Sequence, residues 1–371
     1  MKKTLYKITL TCAAAFFTAC STPKEEGFSI NFNLSEIPDC NLYVSERVPA
    51  STSWFIDTLQ VKNGKAQYEG KVKFPRLTSF HFIKGENIYG SIEVFLDNSH
   101  GIHINGKKPN DATITGCKSQ DEYKKVKETI KPALDDIKES SRELSIAFKE
   151  KAEKQVIDSL KDVKIKATAT MIDKLISLPG YATSPVSPYI IYDHCMGNME
   201  VLEKALSKID PSMDNNGYIQ EEKAELARQK ASAIGQPAYN FCLKDIEGKE
   251  YKLSDFKGKY VLIEFSASWC GWCKKEIPYL KKVYEENKDK NFVLLTINLD
   301  ESKKKWEDDV KEMNLPWPVI SDLKAFKGEV PQAFNVHGIP MIYLINPEGK
   351  IEQKGLRGEE MIHIVHDILR K

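Results

Sequence analysis

Two hydrophobic periodicities divide this chain before any residue is singled out for chemistry. Between residues 28 and 116, the runs FSINFNL, NLYVSE, KAQYEGKV, LTSFHFI, SIEVFL and GIHING alternate apolar with polar side chains. A period of two, punctuated by Gly, Pro and Asn, predicts strands that each bury one face. The region is expected to form a small antiparallel sandwich or open barrel. Asn63-Gly64 tolerates the positive φ of a tight hairpin turn, which would place Val61 and Lys65 on paired strands.

From residue 120 to about 233 the rhythm lengthens. Val126, Ile130, Leu134 and Ile137 recur at helical spacing on one face of a Lys/Glu-rich segment. Leu178-Pro179-Gly180 ends one helix, and Ser187-Pro188 reads as the N-cap and first position of the next. After Ile234-Gly235-Gln236-Pro237 strands alternate with amphipathic helices. YVLIEFSA precedes a helix carrying Ile277, Leu280 and Tyr284; NFVLLTINL precedes one carrying Trp306, Val310 and Met313. MIYLI and the turn at Asn346-Pro347-Glu348-Gly349 lead into a last helix from about Glu359. This order predicts an α/β domain, a central sheet covered by helices. The expected divisions are 28–117 (β-rich), 118–234 (helical) and 235–371 (α/β).

Composition and charge refine the picture at the N-terminus. The chain has 371 residues, 41% hydrophobic and 29% charged, enough for two or three domains and unlike either a disordered or a multi-span membrane protein. Lys2, Lys3 and Lys7 precede an uncharged, mostly apolar run over residues 8–19, the pattern of a secretory signal and too short to span a bilayer comfortably. Phe17-Thr18-Ala19-Cys20 is similar to a bacterial lipoprotein box, in which Cys20 carries the lipid. Phe17 stands where that box prefers Leu, so ordinary secretion is the alternative. Residues 1–19 are thus read as signal and 20–27 as a polar tether. Those first 19 residues hold three of the 54 lysines and arginines, leaving 51 basic against 53 acidic side chains. That balance does not suggest a nucleic-acid partner.

The chemistry concentrates in SASWCGWC, where Cys270 and Cys273 follow an apolar strand and open a helix. Unpaired N–H groups and the positive end of the helix dipole favour a thiolate at Cys270. Such settings lower a cysteine pKa from about 8.5 into a range of roughly 3.5 to 7.5. One sulfur can attack a disulfide, and the other, one turn later, can resolve the mixed disulfide. Structural zinc needs about four ligands. Cys242, His337, His363 and His366 offer no second paired spacing, so neither a metal nor a cofactor is expected. A purely structural staple closes too small a loop to remove much chain entropy. Glu264, inside Val-Leu-Ile-Glu-Phe, is expected to be desolvated and to hold its proton tightly, unless its head reaches solvent at the strand end. Buried near Cys273, it would take that thiol's proton.

VLIEFSASWCGWCKKEIPYL resembles the active-site segment of thioredoxins, and residues 235–371 resemble the ResA- and TlpA-like exported thioredoxins. FCLKDIEGKEYKLSDFKGKYVLI is similar to the hairpin and strand that open that group. Glu264 six residues before Cys270, Pro278 five after Cys273, and Gly338-Ile339-Pro340 before a strand all agree with its pattern. The resemblance implies a thioredoxin fold at the C-terminus and thiol-disulfide oxidoreductase activity through a redox-active Cys270–Cys273 pair. It also implies a cis Pro340, the alternative being a trans proline at a strand start, with Ile339 offering backbone hydrogen bonds to a bound substrate strand. Trp269 and Trp272 would then wall the sulfur, or else cover core. Peroxiredoxins share the general fold, but Ala267 and Ile263 stand where they place Thr or Ser and Pro.

The rest of the chain, through Phe55-Ile56-Asp57-Thr58-Leu59 and Asn63-Gly64-Lys65, resembles the β-rich domain of unknown function and helical segment of Bacteroidetes lipoproteins. Cys40 and Cys117 are expected either to pair there or to remain buried thiols. Together these features imply a lipid-anchored enzyme of the cell envelope, facing the periplasm, acting on protein disulfides or dithiols and recharged by a membrane electron donor. Reduction is the expected direction, with an oxidase or isomerase as one alternative. The other is a binding or assembly lipoprotein whose Cys-x-x-Cys is incidental.

Overall fold

The computed structural model describes residues 27–48, 56–150, 152–195 and 198–370. The signal, Cys20 and most of the tether lie outside the described residues, as does Phe55. The chain divides into two compact units: residues 27–46 and 56–121, and residues 47–48 and 122–370, among those described.

The first unit contains β1 (Phe28–Leu34), β2 (Cys40–Glu46), β3 (Asp57–Val61), β4 (Lys65–Gly70), β5 (Arg76–Lys84), β6 (Asn87–Leu96), β7 (Ile102–Gly106) and β8 (Thr113–Thr115). They form two four-stranded sheets, ordered β4-β1-β7-β8 and β3-β2-β5-β6. Alternation works as the sequence predicts: Phe28, Ile30, Phe32 and Leu34 on β1 share one core with Leu42, Val44, Phe80, Phe82, Ile102 and Ile104 from both sheets. Two expectations need correction. First, β1 and β7 run parallel, so the sandwich is not wholly antiparallel.

Second, Asn63 and Gly64 do make a tight turn, with φ of 49° and 71°, but the bridge they close is Lys62 to Lys65. Val61 pairs with Cys40, whereas Lys65 pairs with Asn33, so the strands on either side of the turn enter different sheets. Gly64 is required twice over. Its φ suits glycine, and a Cβ there would lie 2.1 Å from the Leu34 carbonyl oxygen. Cys40 and Cys117 are free, buried thiols.

The second unit takes in most of α1 (Lys118–Lys149), followed by α2 (Lys154–Ile176), α3 (Ser187–His194), α4 (Met199–Leu206) and α5 (Gly217–Ala231). On α1, Val126 and Ile130 are buried as expected. At α3 the reading is one residue off: Ser187 is already helical and Pro188 follows it. The N–H groups of Val186 and Ser187 are taken by Ser184 Oγ, which sequence spacing did not single out.

The same unit continues through β9 (Cys242–Lys244), β10 (Glu250–Lys252), β11 (Tyr260–Ser266), α6 (Gly271–Asn287), β12 (Phe292–Asn298), α7 (Lys303–Met313), β13 (Val319–Ile320), α8 (Glu329–Ala333), β14 (Met341–Ile345), β15 (Ile351–Lys354) and α9 (Gly358–Leu369). The five-stranded sheet is ordered β13-β12-β11-β14-β15, with β11 parallel to β12 and antiparallel to β14. This arrangement, with a short β9–β10 hairpin ahead of it, is the thioredoxin-type fold. On β11, Val261, Ile263 and Phe265 face one core layer with Phe334 and Tyr343. Leu262 faces the other, with Leu280 and Val283 of α6 and Met361, Ile362 and Val365 of α9. A strand buried on both faces reads as a continuous apolar run, as VLIEF does apart from its one carboxyl.

Candidate active site

β11 ends at Ser266 and α6 starts at Gly271, so the four residues between them set the sulfur geometry. Asp300, 1% exposed, holds this link: one carboxylate oxygen accepts from the Ser268 N–H at 3.0 Å and the other from its hydroxyl at 2.8 Å. Two charge-assisted bonds to one residue fix the approach to the helix. Cys270 is the N-cap of α6, and its Sγ accepts the Cys273 N–H at 3.1 Å. The two cysteines are joined, with an S–S distance of 2.02 Å and a Cα–Cα distance of 5.3 Å, and both are buried. A helix start therefore directs backbone donors at the first sulfur. In this oxidised form the donor in contact is the N–H of Cys273, not that of Trp272.

Trp269 and Trp272 are 57% and 65% exposed, so neither covers core. Lys275 Nζ stands 4.3 Å from the Trp272 ring centroid, and the Trp269 ring lies 6.4 Å from that of Phe326. Two largely exposed indoles thus flank a buried disulfide, each with one side-chain neighbour. The Ile339–Pro340 peptide bond is cis. Ile339 and Met341 pack against the core cluster to which Cys270 and Cys273 belong, so the proline loop and the sulfurs border one core. The carbonyl of Pro340 accepts a bond from the Arg357 guanidinium.

Glu264 lies on the face of β11 that packs beneath α6, and it is 1% exposed; its head does not reach solvent. Burial pushes its carboxyl up to about 7. The Thr296 hydroxyl opposes that shift, Glu276 and Asp309 reinforce it, and Arg357 also opposes it. Oε2 accepts from Thr296 Oγ1 at 2.9 Å, and Oε1 has no partner among the described residues. Thr296 in turn accepts from Trp317 Nε1 at 3.0 Å. The sequence did not single out Asp300, Thr296, Trp317 or Arg357. The available signal was a polar Thr within an apolar strand, which register places opposite Glu264.

Two family models match the chain. One is the AhpC/TSA family over residues 234–354; the other is a domain of unknown function (DUF4369) over residues 28–123. The thiol-disulfide oxidoreductase ResA of Bacillus subtilis is 35% identical over 149 residues, covering 40% of this chain and 82% of that protein. The protein of the same name in Bacillus cereus is 33% identical over 145 residues, 39% of this chain and 82% of its own length. Among solved structures, the thioredoxin domain of a thiol-disulfide oxidoreductase from Bacteroides vulgatus is 36% identical and aligns over 37% of this chain and 98% of that one, with a TM-score of 0.36. A thiol-disulfide oxidoreductase from Bacteroides fragilis is 29% identical over 36% of this chain and all of its own, with a TM-score of 0.35. Through its C-terminal region, the chain belongs to the family of ResA-like thiol-disulfide oxidoreductases.

Proposed function

We propose that this protein reduces protein disulfides in the cell envelope, with Cys270 as the attacking sulfur, Cys273 as the resolving sulfur and Glu264 as the proton acceptor. The observation that carries this reading is the Cys270–Cys273 pair at the start of α6 with a buried, partly unsatisfied carboxyl under the same helix. In the reduced enzyme, Cys270 thiolate attacks one sulfur of a substrate disulfide and expels the other as a thiolate. Cys273 passes its proton to Glu264 and attacks Cys270 of the mixed disulfide, releasing the second substrate sulfur. The substrate gains two electrons and the enzyme becomes the disulfide. Trp269 and Trp272 supply apolar contact, and the loop at Ile339 and Pro340 offers backbone to a substrate strand.

A spent reductase must be reloaded, and a membrane dithiol is the chemical class of donor this reading needs. Acylation at Cys20 would hold the enzyme at that membrane, facing the periplasm, with residues 20–27 as tether, 28–117 as a partner-selecting β domain and 118–234 as the helical connection to the catalytic residues 235–371.

The test compares wild type with Cys270→Ser, using dithiothreitol as electron source and insulin as substrate. Turnover by wild type alone supports the reading. Equal turnover by both would leave the Cys-x-x-Cys incidental, in favour of an assembly lipoprotein. Equilibration with glutathione buffers decides direction, because a strongly oxidising potential identifies an oxidase or isomerase.

A further inference from the structure

We infer that Trp317, acting through Thr296, fixes which oxygen of Glu264 carries the proton: Oε2 is held as a permanent acceptor, leaving Oε1 as the oxygen that takes the proton and gives it up. Trp317 and Thr296 are positioning residues in this scheme, which rests on Glu264 being the proton acceptor proposed above.

Donor counting sets the direction of these bonds. An indole N–H only donates, while a threonine hydroxyl has one proton to give and two lone pairs to receive with. Trp317 Nε1 donates to Thr296 Oγ1 at 3.0 Å, which occupies one lone pair. The hydroxyl proton then has Glu264 Oε2 at 2.9 Å as its acceptor. All three side chains are buried, at 5%, 3% and 1% exposure. Reversing the last bond would put the carboxyl proton on Oε2, aimed at Thr296. The hydroxyl would then have to release its own proton from that bond inside a buried site, where an unsatisfied donor costs about 1–3 kcal/mol. The chain of donors therefore runs one way, from indole to hydroxyl to carboxyl.

Oε1 is the complementary half of the device. It is buried and has no hydrogen-bond partner among the described residues. The other charged groups acting on Glu264 come from three directions: Glu276 on α6, Asp309 on α7, and Arg357 just before α9. Arg357 is already engaged with the carbonyls of Leu356 and Pro340. Glu276 accepts the Gly358 N–H at 2.9 Å. The free oxygen is thus the one position on the carboxyl where a proton can arrive without breaking an existing bond.

The experiment follows the Glu264 titration directly, by carboxyl-carbon NMR of reduced protein labelled at glutamate and assigned with Glu264→Gln. The same variants are carried through a pH profile of turnover on a model disulfide. Thr296→Val removes the donor to the ionised form, and the Glu264 midpoint should rise by about one pH unit. Trp317→Phe removes the donor that pins the hydroxyl rotor, so the hydroxyl proton can turn away from Glu264 and leave a lone pair toward the acid, and the midpoint should move the same way by a smaller amount. Thr296→Ser, which keeps the hydroxyl, should restore the wild-type midpoint. An unmoved midpoint in Thr296→Val, with the fold retained by thermal melting, would overturn the inference. A midpoint that moves while Glu264→Gln leaves the turnover profile intact would keep the donor arrangement but remove Glu264 from the reaction.

Discussion

At the residue scale, the candidate site divides into side chains that spacing makes visible and side chains that only folding brings in. Cys270, Cys273, Glu264 and Pro340 stand out because one segment and one loop carry them at fixed intervals. Thr296, Trp317 and Asp300 do not, because a hydroxyl, an indole or a carboxylate gains its partner only once β12 is laid beside β11. Glu264 gives the clearest prediction. Its folded pKa, about 7, lies above the ordinary 4.5. The native state therefore holds a proton that the unfolded chain releases as pH rises, so this stability is present below 4.5 and lost through about 7. Between pH 4 and 8, wild type should lose about 3 kcal/mol from this group, and Glu264→Gln should not. Urea unfolding of both across that range tests the sign. Trp272→Pro removes a backbone N–H from the first turn of α6, because proline has none. If that N–H helps hold the Cys270 thiolate, the variant should be more reducing, by about 30 mV or less. The Cys273 N–H already reaches Cys270 in the oxidised form, so an unchanged potential would show that this second donor suffices.

At the element scale, alternation located six strands, β1, β2 and β4 to β7, since each turns one face toward a shared core; β3 was reached only through the turn at Asn63-Gly64, and β8 lies outside the alternating runs. Alternation could not reveal that β1 pairs in parallel with β7 or that a turn joins strands of different sheets. Period two specifies which side chains point inward, but not which strand lies alongside. The consequence at the turn is measurable. Gly64→Ala forces a left-handed backbone on a residue with a Cβ and drives that carbon into the Leu34 carbonyl. Destabilisation of about 2 kcal/mol or more is expected in denaturant melts of the β-rich unit, whereas Gly85→Ala should cost less, since a Cβ there has nothing within 4 Å. Equal effects at the two glycines would refute the close-approach argument.

At the scale of the whole molecule, the helical segment is tied to the proline loop by a polar cluster that no local pattern announces. Glu225 on α5 accepts from Asn335 at 3.1 Å, Gln229 at 2.7 Å and Arg228 at 3.0 Å, and His337 lies 3.3 Å away. Burial alone would raise Glu225, but His337, Gln229 and Asn335 outweigh it and hold the carboxyl below its usual range. Its hydrogen bond to Glu225 raises His337. The Glu225 contribution is present above 4.5 and lost on acidification. The His337 contribution is complete below 6.5 and lost as pH rises through its elevated value. Amide protection in α5, taken relative to the intrinsic exchange rate at each pH, should therefore be greatest between about pH 4.5 and 6.5. His337→Ala should abolish the alkaline half of that dependence.

The cysteines outside the pair set a final condition on a molecule whose work is sulfur exchange. Cys40, Cys117 and Cys195 are buried, and burial pushes all three thiols up, Cys117 to about 11. At neutral pH roughly one Cys117 in ten thousand is a thiolate, and none of the three is presented to an attacking sulfur. Alkylation of native, oxidised protein should modify exposed Cys242 first and reach the other three only in denaturant. The hydrophobic core thus acts as insulation for three of the four thiols outside the pair: it keeps Cys40, Cys117 and Cys195 out of exchange with the Cys270–Cys273 sulfurs, whereas Cys242 stands outside it.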